Sequence, residues 1–159
     1  MASTGARATK PAPPTGLVLF AYDGCELAMH AIEQAGHQLA PGRDALVVCV
    51  WQPGDVGFLP VGDEHLNAAE ATEVRKAAEE TAAHGASLAE KAGFRAQSIA
   101  IHAAPTWKGI VDVANEHKAS LIVLGPHRRR GLSRHLLGSV TTAVAAHTDS
   151  SLLIVQQPS

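Results

Sequence analysis

Apolar runs of strand length alternate with segments of helical character along most of the chain. Continuous apolar runs occupy residues 16–22, 45–51, 121–124 and 152–155, and a more polar run spans residues 94–102. Apolar runs without polar alternation are typical of strands that are covered on both faces. Helices are predicted between them over residues 23–39, 67–92, 106–117 and 139–147. This order predicts an α/β fold, with one parallel sheet of five strands and helices on both faces.

Capping and terminating residues set the expected ends of these helices. Asp23 stands three residues before Glu26, which is a capping-box pattern, and Ser139 is expected to cap the last helix. Gly93 is placed to end the long helix. The buried stripes are predicted at Leu27, Ala31, Ile32, Ala35 and Leu39 in the first helix and at Val74, Ala77, Ala78, Leu88 and Ala89 in the long one.

Length and composition favour a single domain. The chain has 159 residues, of which 46% are hydrophobic, which is enough for one core and too few for two. Residues 1–15 are rich in alanine, serine, threonine and proline and have no periodicity. We therefore expect a disordered N-terminal arm over residues 1–15 and one domain over residues 16–157.

Charge and hydropathy narrow the classes of partner. The net charge is −2 with both signs interspersed, so a nucleic-acid surface is not expected. No apolar run approaches the roughly 20 residues that cross a bilayer, so no membrane partner is expected. Two cysteines, Cys25 and Cys49, do not make a disulfide framework. The sequence therefore predicts a cytoplasmic protein.

Candidate binding residues follow several of the predicted strands. In an open parallel sheet, ligands bind outside the carboxyl ends of the strands, where the strand order reverses. Asp23 follows the first strand, Trp51 ends the second and Gly125 follows the fourth, while a helix begins at Gly138-Ser139. If the first and fourth strands are neighbours, these residues line one crevice, and the helix start offers unpaired N–H groups to an anion.

Two segments make the chain resemble the universal stress protein family. They are Tyr22-Asp-Gly-Cys-Glu26 after the first strand and Gly131-Leu-Ser-Arg-His-Leu-Leu-Gly-Ser-Val140 before the last helix. The resemblance covers nearly everything from residue 17 to residue 155. It implies strand order 3-2-1-4-5, as in the adenine nucleotide alpha hydrolase-like folds, and usually a homodimer. For the dimer we expect pairing through the uncharged last strand, made of Leu152, Leu153, Ile154 and Val155, which would otherwise leave an open sheet edge.

Many members of that family bind ATP, in some cases with Mg²⁺, through a motif Gly-x-x-Gly, nine residues, Gly, then Ser or Thr. Gly125, Gly138 and Ser139 match the motif, but Arg128 replaces its second glycine. The resemblance also implies that Asp23 lies near the ribose and the metal-bridged phosphates, and that the Val50 backbone meets the adenine edge. The resulting set of nucleotide contacts is Ala21, Tyr22, Asp23, Val50, Gly125, His127, Arg128, Gly138, Ser139 and Val140.

The arginine at position 128 has two opposing effects on ATP binding. A glycine beside a phosphate permits close backbone approach or a positive φ angle, which arginine does not. The guanidinium instead brings donors that suit phosphate. The sequence leaves open whether Arg128 weakens the site or compensates for the lost glycine.

Three classes of function are compatible with the sequence. The first is a nucleotide-binding regulatory protein of the stress response. The second is a slow ATPase, against which no general base is paired with a nucleophile and no complete Walker motif is present. The third is a dimeric scaffold that has lost ATP or binds another anion. The nine histidines show no metal-ligand spacing, and Cys25 is either a small helix-start residue or a thiol open to redox chemistry.

Overall fold

The chain folds into alternating strands and helices. The computed structural model describes residues 16–52, 68–126 and 137–157, so the expected arm over residues 1–15 lies outside the described residues. The elements are β1 (Val18–Ala21), α1 (Glu26–Gln38), β2 (Asp44–Trp51), α2 (Ala68–Lys91), β3 (Arg95–His102), α3 (Thr106–Glu116), β4 (Leu121–Leu124), α4 (Ser139–His147) and β5 (Ser151–Ile154).

The five strands form one parallel sheet in the order β3-β2-β1-β4-β5, as predicted. At the centre, Val18 of β1 pairs with Ala45 of β2 on one side and with Leu121 of β4 on the other. The chain thus moves outward from β1 to β3 and then returns across the sheet to β4. That reversal creates a crevice at the carboxyl ends of β1 and β4, which is where such folds bind ligands.

The sheet is covered on both faces, which explains its uninterrupted apolar strands. Val18, Leu19 and Phe20 are all fully buried although they point to alternate faces. On one face α1 and α2 pack against Phe20, whose ring meets that of Phe94 edge to face at 5.2 Å. On the other face α3 and α4 pack against Leu19 and its neighbours. Each large apolar side chain buried in this way contributes about 1.5–3 kcal/mol.

Polar contacts hold the amino ends of the strands together. Arg43 is buried, and its Nη2 donates to the Gly16 carbonyl at 2.9 Å and to Ser120 Oγ at 3.1 Å. Beside it, Asp44 and Arg95 form an ion pair at 2.9 Å between β2 and β3. A buried guanidinium requires such acceptors. These contacts fix the amino ends of β1, β2 and β4 relative to one another.

Most element boundaries agree with the sequence to within one or two residues. One expectation about α2 was wrong: Ala77 is exposed, although Val74, Ala78 and Ala89 are buried as predicted. Gly93 follows α2 with a φ of 102°, a conformation that favours glycine and ends the helix. In the described part of the chain, no helix combines the length and the apolar character needed to cross a membrane.

Candidate functional site

A cleft of about 470 Å³ lies at the carboxyl ends of β1, β2 and β4. The ends of these strands form its floor, and α2 borders it on one face of the sheet, while the starts of α1, α3 and α4 border it elsewhere. Its lining comprises Ala21, Tyr22, Asp23, Cys25, Leu27, Ala28, Val48, Cys49, Val50, Trp51, Val74, Ala77, Ala78, Thr81, Thr106, Ile110, Leu124, Gly125, Pro126, Val140 and Thr141.

The cleft brings together most of the residues that the sequence singled out. Those that line it are Ala21, Tyr22, Asp23, Val50, Gly125 and Val140. Gly138 and Ser139 do not line it directly, but they lie immediately before Val140 at the start of α4. His127 and Arg128 lie outside the described residues.

The loop that carries Asp23 is longer than the sequence predicted, so α1 begins later in the chain. Asp23 is not the N-cap of α1: that position is Cys25, whose N–H donates to Asp23 Oδ1 at 3.0 Å. The reason is Gly24, which adopts a φ of 84° and turns the chain before the helix begins. Asp23 is therefore an exposed carboxylate at the mouth of the cleft.

The start of α4 is also displaced by one residue from the expected cap. Gly138 is the N-cap and Ser139 is the first helical residue. The first helical hydrogen bond runs from the Thr142 N–H to the Gly138 carbonyl at 3.0 Å. The N–H groups of Ser139, Val140 and Thr141 precede that bond, so they have no acceptor within the helix. A glycine cap has no side chain to cover them, which leaves a place for an anion.

Three helices begin at this cleft and add their dipoles there. The N-cap residues of α1, α3 and α4 are Cys25, Pro105 and Gly138, and the proline and the glycine have no polar side chain to cap their helices. Each helix start carries a partial positive charge of about half a unit. These helix starts therefore favour negative charge at the cleft, and the Asp23 carboxylate that also lines it opposes them.

Gly125 lets β4 end directly against α1. A Cβ atom at this position would lie 2.8 Å from the Leu27 carbonyl oxygen and 3.1 Å from the Leu27 carbonyl carbon. The Gly125 carbonyl in turn accepts from Thr141 Oγ1 at 3.4 Å, which links β4 to α4. The glycine expected from the motif is thus explained by close backbone packing.

The backbone of Val50 is directed into the cleft. In a strand, every second residue points its backbone N–H and C=O groups toward the same neighbouring strand. The Val48 carbonyl accepts from the Tyr22 N–H at 2.9 Å, whereas the Trp51 carbonyl accepts from the chain beyond β3. Val50 is therefore directed toward β1, like Val48. The pairing of β1 with β2 ends at Ala21 and Val48, so Val50 faces the space beyond that end.

Tyr22 connects the floor of the cleft to α2. Its hydroxyl shares a hydrogen bond with His84 Nδ1 at 2.8 Å, and its ring is almost completely buried. A Cβ atom on Gly85 would lie 2.6 Å from the Tyr22 ring, so a glycine is needed for this approach. Burial raises the pKa of the Tyr22 phenol above its ordinary value of 10.0, and the charge of Asp23, joined at high pH by those of the ionised Cys25 and Cys49 thiols, raises it further.

Because Tyr22 is the chain's single tyrosine, its titration can be followed without interference. We expect the phenolate absorption band to appear with a midpoint above pH 10.0 in the folded protein. The folded state holds this proton more tightly than the unfolded chain. The contribution of Tyr22 to the free energy of unfolding should therefore be independent of pH below pH 10. It should fall as the pH rises from there to the folded-state pKa. A midpoint at or below 10 would contradict the burial of this phenol.

Several lining residues were not identified from the sequence. Ala77 and Thr81 of α2 form a wall, and the Thr81 hydroxyl donates to the Ala77 carbonyl at 2.9 Å. Thr106 and Ile110 of α3 form another part of the lining. Helical periodicity separates buried from exposed positions, but it does not indicate which helix end lies over a sheet edge. Trp51, which the strand pattern did place at this edge, also lines the cleft.

Comparison with known proteins places this geometry in a family. The universal stress protein family matches residues 16–156, so the chain belongs to that family. Universal stress protein MJ0531 of Methanocaldococcus jannaschii is 35% identical over 71 residues, which are 45% of this chain. The match covers 41% of that relative's length, less than half of it.

Solved structures share the fold at low identity. Hypothetical protein MJ0577 has a TM-score of 0.70 at 21% identity, covering 91% of this chain and 98% of that one. A universal stress protein in complex with cAMP has a TM-score of 0.60 at 23% identity, and the match covers 89% of this chain and 97% of that one. The universal stress protein from Archaeoglobus fulgidus in complex with dAMP has a TM-score of 0.55 at 22% identity, and the match covers 88% of this chain and 96% of that one.

Proposed function

We propose that this chain is a regulatory protein of the cytoplasmic stress response that binds an adenine nucleotide, ATP with Mg²⁺, in the cleft. The observation that carries the proposal is the convergence of two kinds of backbone group. The N–H and C=O of Val50 face the cleft on one side, and the uncapped start of α4 borders it on the other. The first suits a nucleobase edge and the second suits a phosphate.

The base-binding part of the proposal rests on Val50. Its N–H is a donor and its C=O an acceptor, both directed past the end of β1. Adenine presents an acceptor at N1 beside a donor at N6, which matches such a pair, whereas guanine presents the two in the opposite order. We therefore propose that the Val50 backbone recognises adenine.

The phosphate-binding part rests on the start of α4. Three N–H groups, those of Ser139, Val140 and Thr141, lack acceptors within the helix. Ser139 is exposed, so its hydroxyl is accessible to a phosphate. We propose that His127 and Arg128, which precede α4 in the chain, complete the contacts to the phosphates. Asp23 supplies an exposed carboxylate, which is the type of ligand that Mg²⁺ takes when it arrives with a nucleotide.

The solved relatives support the choice of an adenine nucleotide. Two structures with this fold hold cAMP and dAMP, which share the adenine base and a single phosphate. A site that reads adenine through Val50 and one phosphate through α4 would accept such ligands as well as ATP. The number of phosphates that this chain prefers is decided by titrating AMP, cAMP and ATP in parallel.

Cys25 offers a direct test of where the nucleotide binds. The thiol is exposed at the cleft, whereas Cys49 is buried. Burial raises the pKa of Cys25 above its ordinary value of 9.0, and Asp23 adds to the effect, while the N–H groups of Ala28 and Leu27 oppose it. A maleimide should therefore label Cys25 slowly at neutral pH and faster as the pH rises, because the thiolate is the reactive form.

Saturating ATP with Mg²⁺ should slow this labelling markedly, because the ligand covers the thiol. The rate is read by mass spectrometry. Cys49→Ala is the matched control and should label and be protected like the unmodified chain, since Cys49 is only 7% exposed. Labelling at the same rate with and without bound ATP would place the nucleotide outside the cleft.

We also propose that two copies of the chain pair through β5. This strand is an edge of the sheet, and its Leu152, Leu153 and Ile154 are half-buried and uncharged. The opposite edge, β3, carries exposed polar side chains such as Arg95 and Gln97. Charged residues protect an edge from pairing, and the lack of them on β5 favours an isologous contact.

Ile154→Lys should convert the dimer to a monomer. Ile154 is absent from the core clusters, so the lysine disfavours strand pairing without opening the core, unlike a change at Leu153. Light scattering at tens of micromolar measures the mass. Ser98→Lys on the β3 edge is the matched control and should leave the dimer intact, because Ser98 is exposed there. A monomeric unmodified chain, or a dimer that survives Ile154→Lys, would refute β5 pairing.

A further inference from the structure

The indole of Trp51 forms a wall of the cleft to which the contacts proposed above assign no role. Trp51 is the last residue of β2, directly follows Val50 and is half-buried. Successive residues of a strand point to opposite faces, so Trp51 lies with Cys49 on the face that α2 covers. It borders the cleft together with Ala77 and Ala78 of α2.

Neighbouring side chains hold the indole in position. His102, its register partner on β3, lies with its ring centroid 4.8 Å from the indole and its plane inclined by 40°. Ala78 and Ala82 of α2 pack in the same cluster as the indole. A ring fixed in this way loses little conformational freedom when a ligand contacts it, which favours binding.

Among the described residues that line the cleft, Trp51 carries the accessible aromatic ring. The other aromatic side chain there, Tyr22, is only 3% exposed and is bonded through its hydroxyl to His84. The α2 residues beside the indole, Ala77 and Ala78, carry only methyl groups. Small side chains next to a partly exposed indole leave room for a flat ligand.

We propose that the nucleobase stacks on Trp51, and that this contact makes the cleft prefer purines to pyrimidines. The proposal rests on the nucleotide binding proposed above, because a base whose edge meets the Val50 backbone lies one residue away from the indole. Bases of every type have a π face, and the two fused rings of a purine offer a larger one than a pyrimidine. Trp51 is then a specificity-determining residue as well as a packed one.

Calorimetric titrations with ATP and with CTP, each with Mg²⁺, test this role. Trp51→Leu keeps apolar bulk without the π face and should weaken ATP binding by about five-fold or more, with a smaller loss for CTP. Trp51→Phe keeps a ring and should stay within about two-fold of the unmodified chain. Trp107→Leu is the control, because Trp107 packs on His147 at 4.1 Å and does not line the cleft. Its affinity for ATP should not change.

A second readout uses the fact that the chain has two tryptophans. In Trp107→Phe, all indole emission comes from Trp51, and ATP should quench it; in Trp51→Phe, the emission of Trp107 should not respond. This measurement decides the matter even if Trp51→Leu does not fold. The stacking proposal is overturned if ATP binds Trp107→Phe without changing its emission, or if a folded Trp51→Leu binds ATP as tightly as the unmodified chain. Those results leave nucleotide binding intact, whereas an unmodified chain that binds no ATP would refute the nucleotide site itself.

Discussion

Ser139→Glu should weaken ATP binding by about ten-fold or more while making the fold slightly more stable. Ser139 is the first residue of α4 and is exposed. A carboxylate there takes the position proposed for the phosphate and repels it, and like charges in a binding site cost several kcal/mol. The same carboxylate stabilises the helix start, by about 0.3–1 kcal/mol. Calorimetry should therefore report a loss of ATP affinity, and chemical denaturation should report a small gain in the free energy of unfolding.

Two further substitutions at position 139 make this test specific. Ser139→Lys reverses the charge and should retain or tighten ATP binding, at a small cost in helix stability. Ser139→Ala removes only the hydroxyl and should give a loss smaller than that of glutamate. If glutamate, lysine and alanine all leave ATP affinity unchanged, the phosphates do not lie at α4, and this part of the site is wrong.

Gly125→Ala should destabilise the protein by about 1–3 kcal/mol, the usual cost of overpacking a tight contact. The added Cβ would lie 2.8 Å from the Leu27 carbonyl oxygen, and backbone on both sides must move to relieve it. Leu27 also lines the cleft, so ATP affinity should fall together with stability. Urea denaturation measures the first effect and calorimetry the second.

Gly42→Ala separates packing from backbone strain. Gly42 has a φ of 82° but no atom within 4 Å of an added Cβ, and it lies before β2, at the sheet end opposite the cleft. Alanine there should cost about 1 kcal/mol through strain alone. ATP affinity should be that of the unmodified chain. A Gly125→Ala protein with unchanged stability would show that the close approach to Leu27 is not rigid.

The strands were accessible from the sequence for a simple physical reason, whereas their order came from the family resemblance. Strands buried on both faces need apolar residues at every position, as Val18, Leu19 and Phe20 illustrate, and such runs are easy to recognise. The two switch-point neighbours, β1 and β4, could then be inferred from resemblance, and the structure pairs them.

Local detail at the cleft could not be predicted so well. The pattern at Asp23 and Glu26 resembles a capping box, yet Gly24 turns the chain and makes Cys25 the N-cap. Ser139 was displaced from the cap position by Gly138 for a similar reason, since glycine is also a good N-cap. These shifts depend on backbone conformation, which residue types constrain only weakly.

The position of α2 over the cleft depended on tertiary contacts. It is set by contacts such as that of Gly85 with the Tyr22 ring, where a Cβ would lie 2.6 Å away. Nothing in the helical periodicity marks Gly85 as a contact point. Ala77 was expected to be buried and is exposed beside the cleft because of this placement.

The central claim is that the cleft binds an adenine nucleotide. Its most direct test is a calorimetric titration of the full chain with ATP and Mg²⁺, with thermal unfolding followed at the same ligand concentrations. We predict a saturable heat of binding and a rise in Tm that grows with ligand concentration, because a ligand that binds only the folded state stabilises it. No heat and no thermal shift at millimolar ATP would contradict the claim.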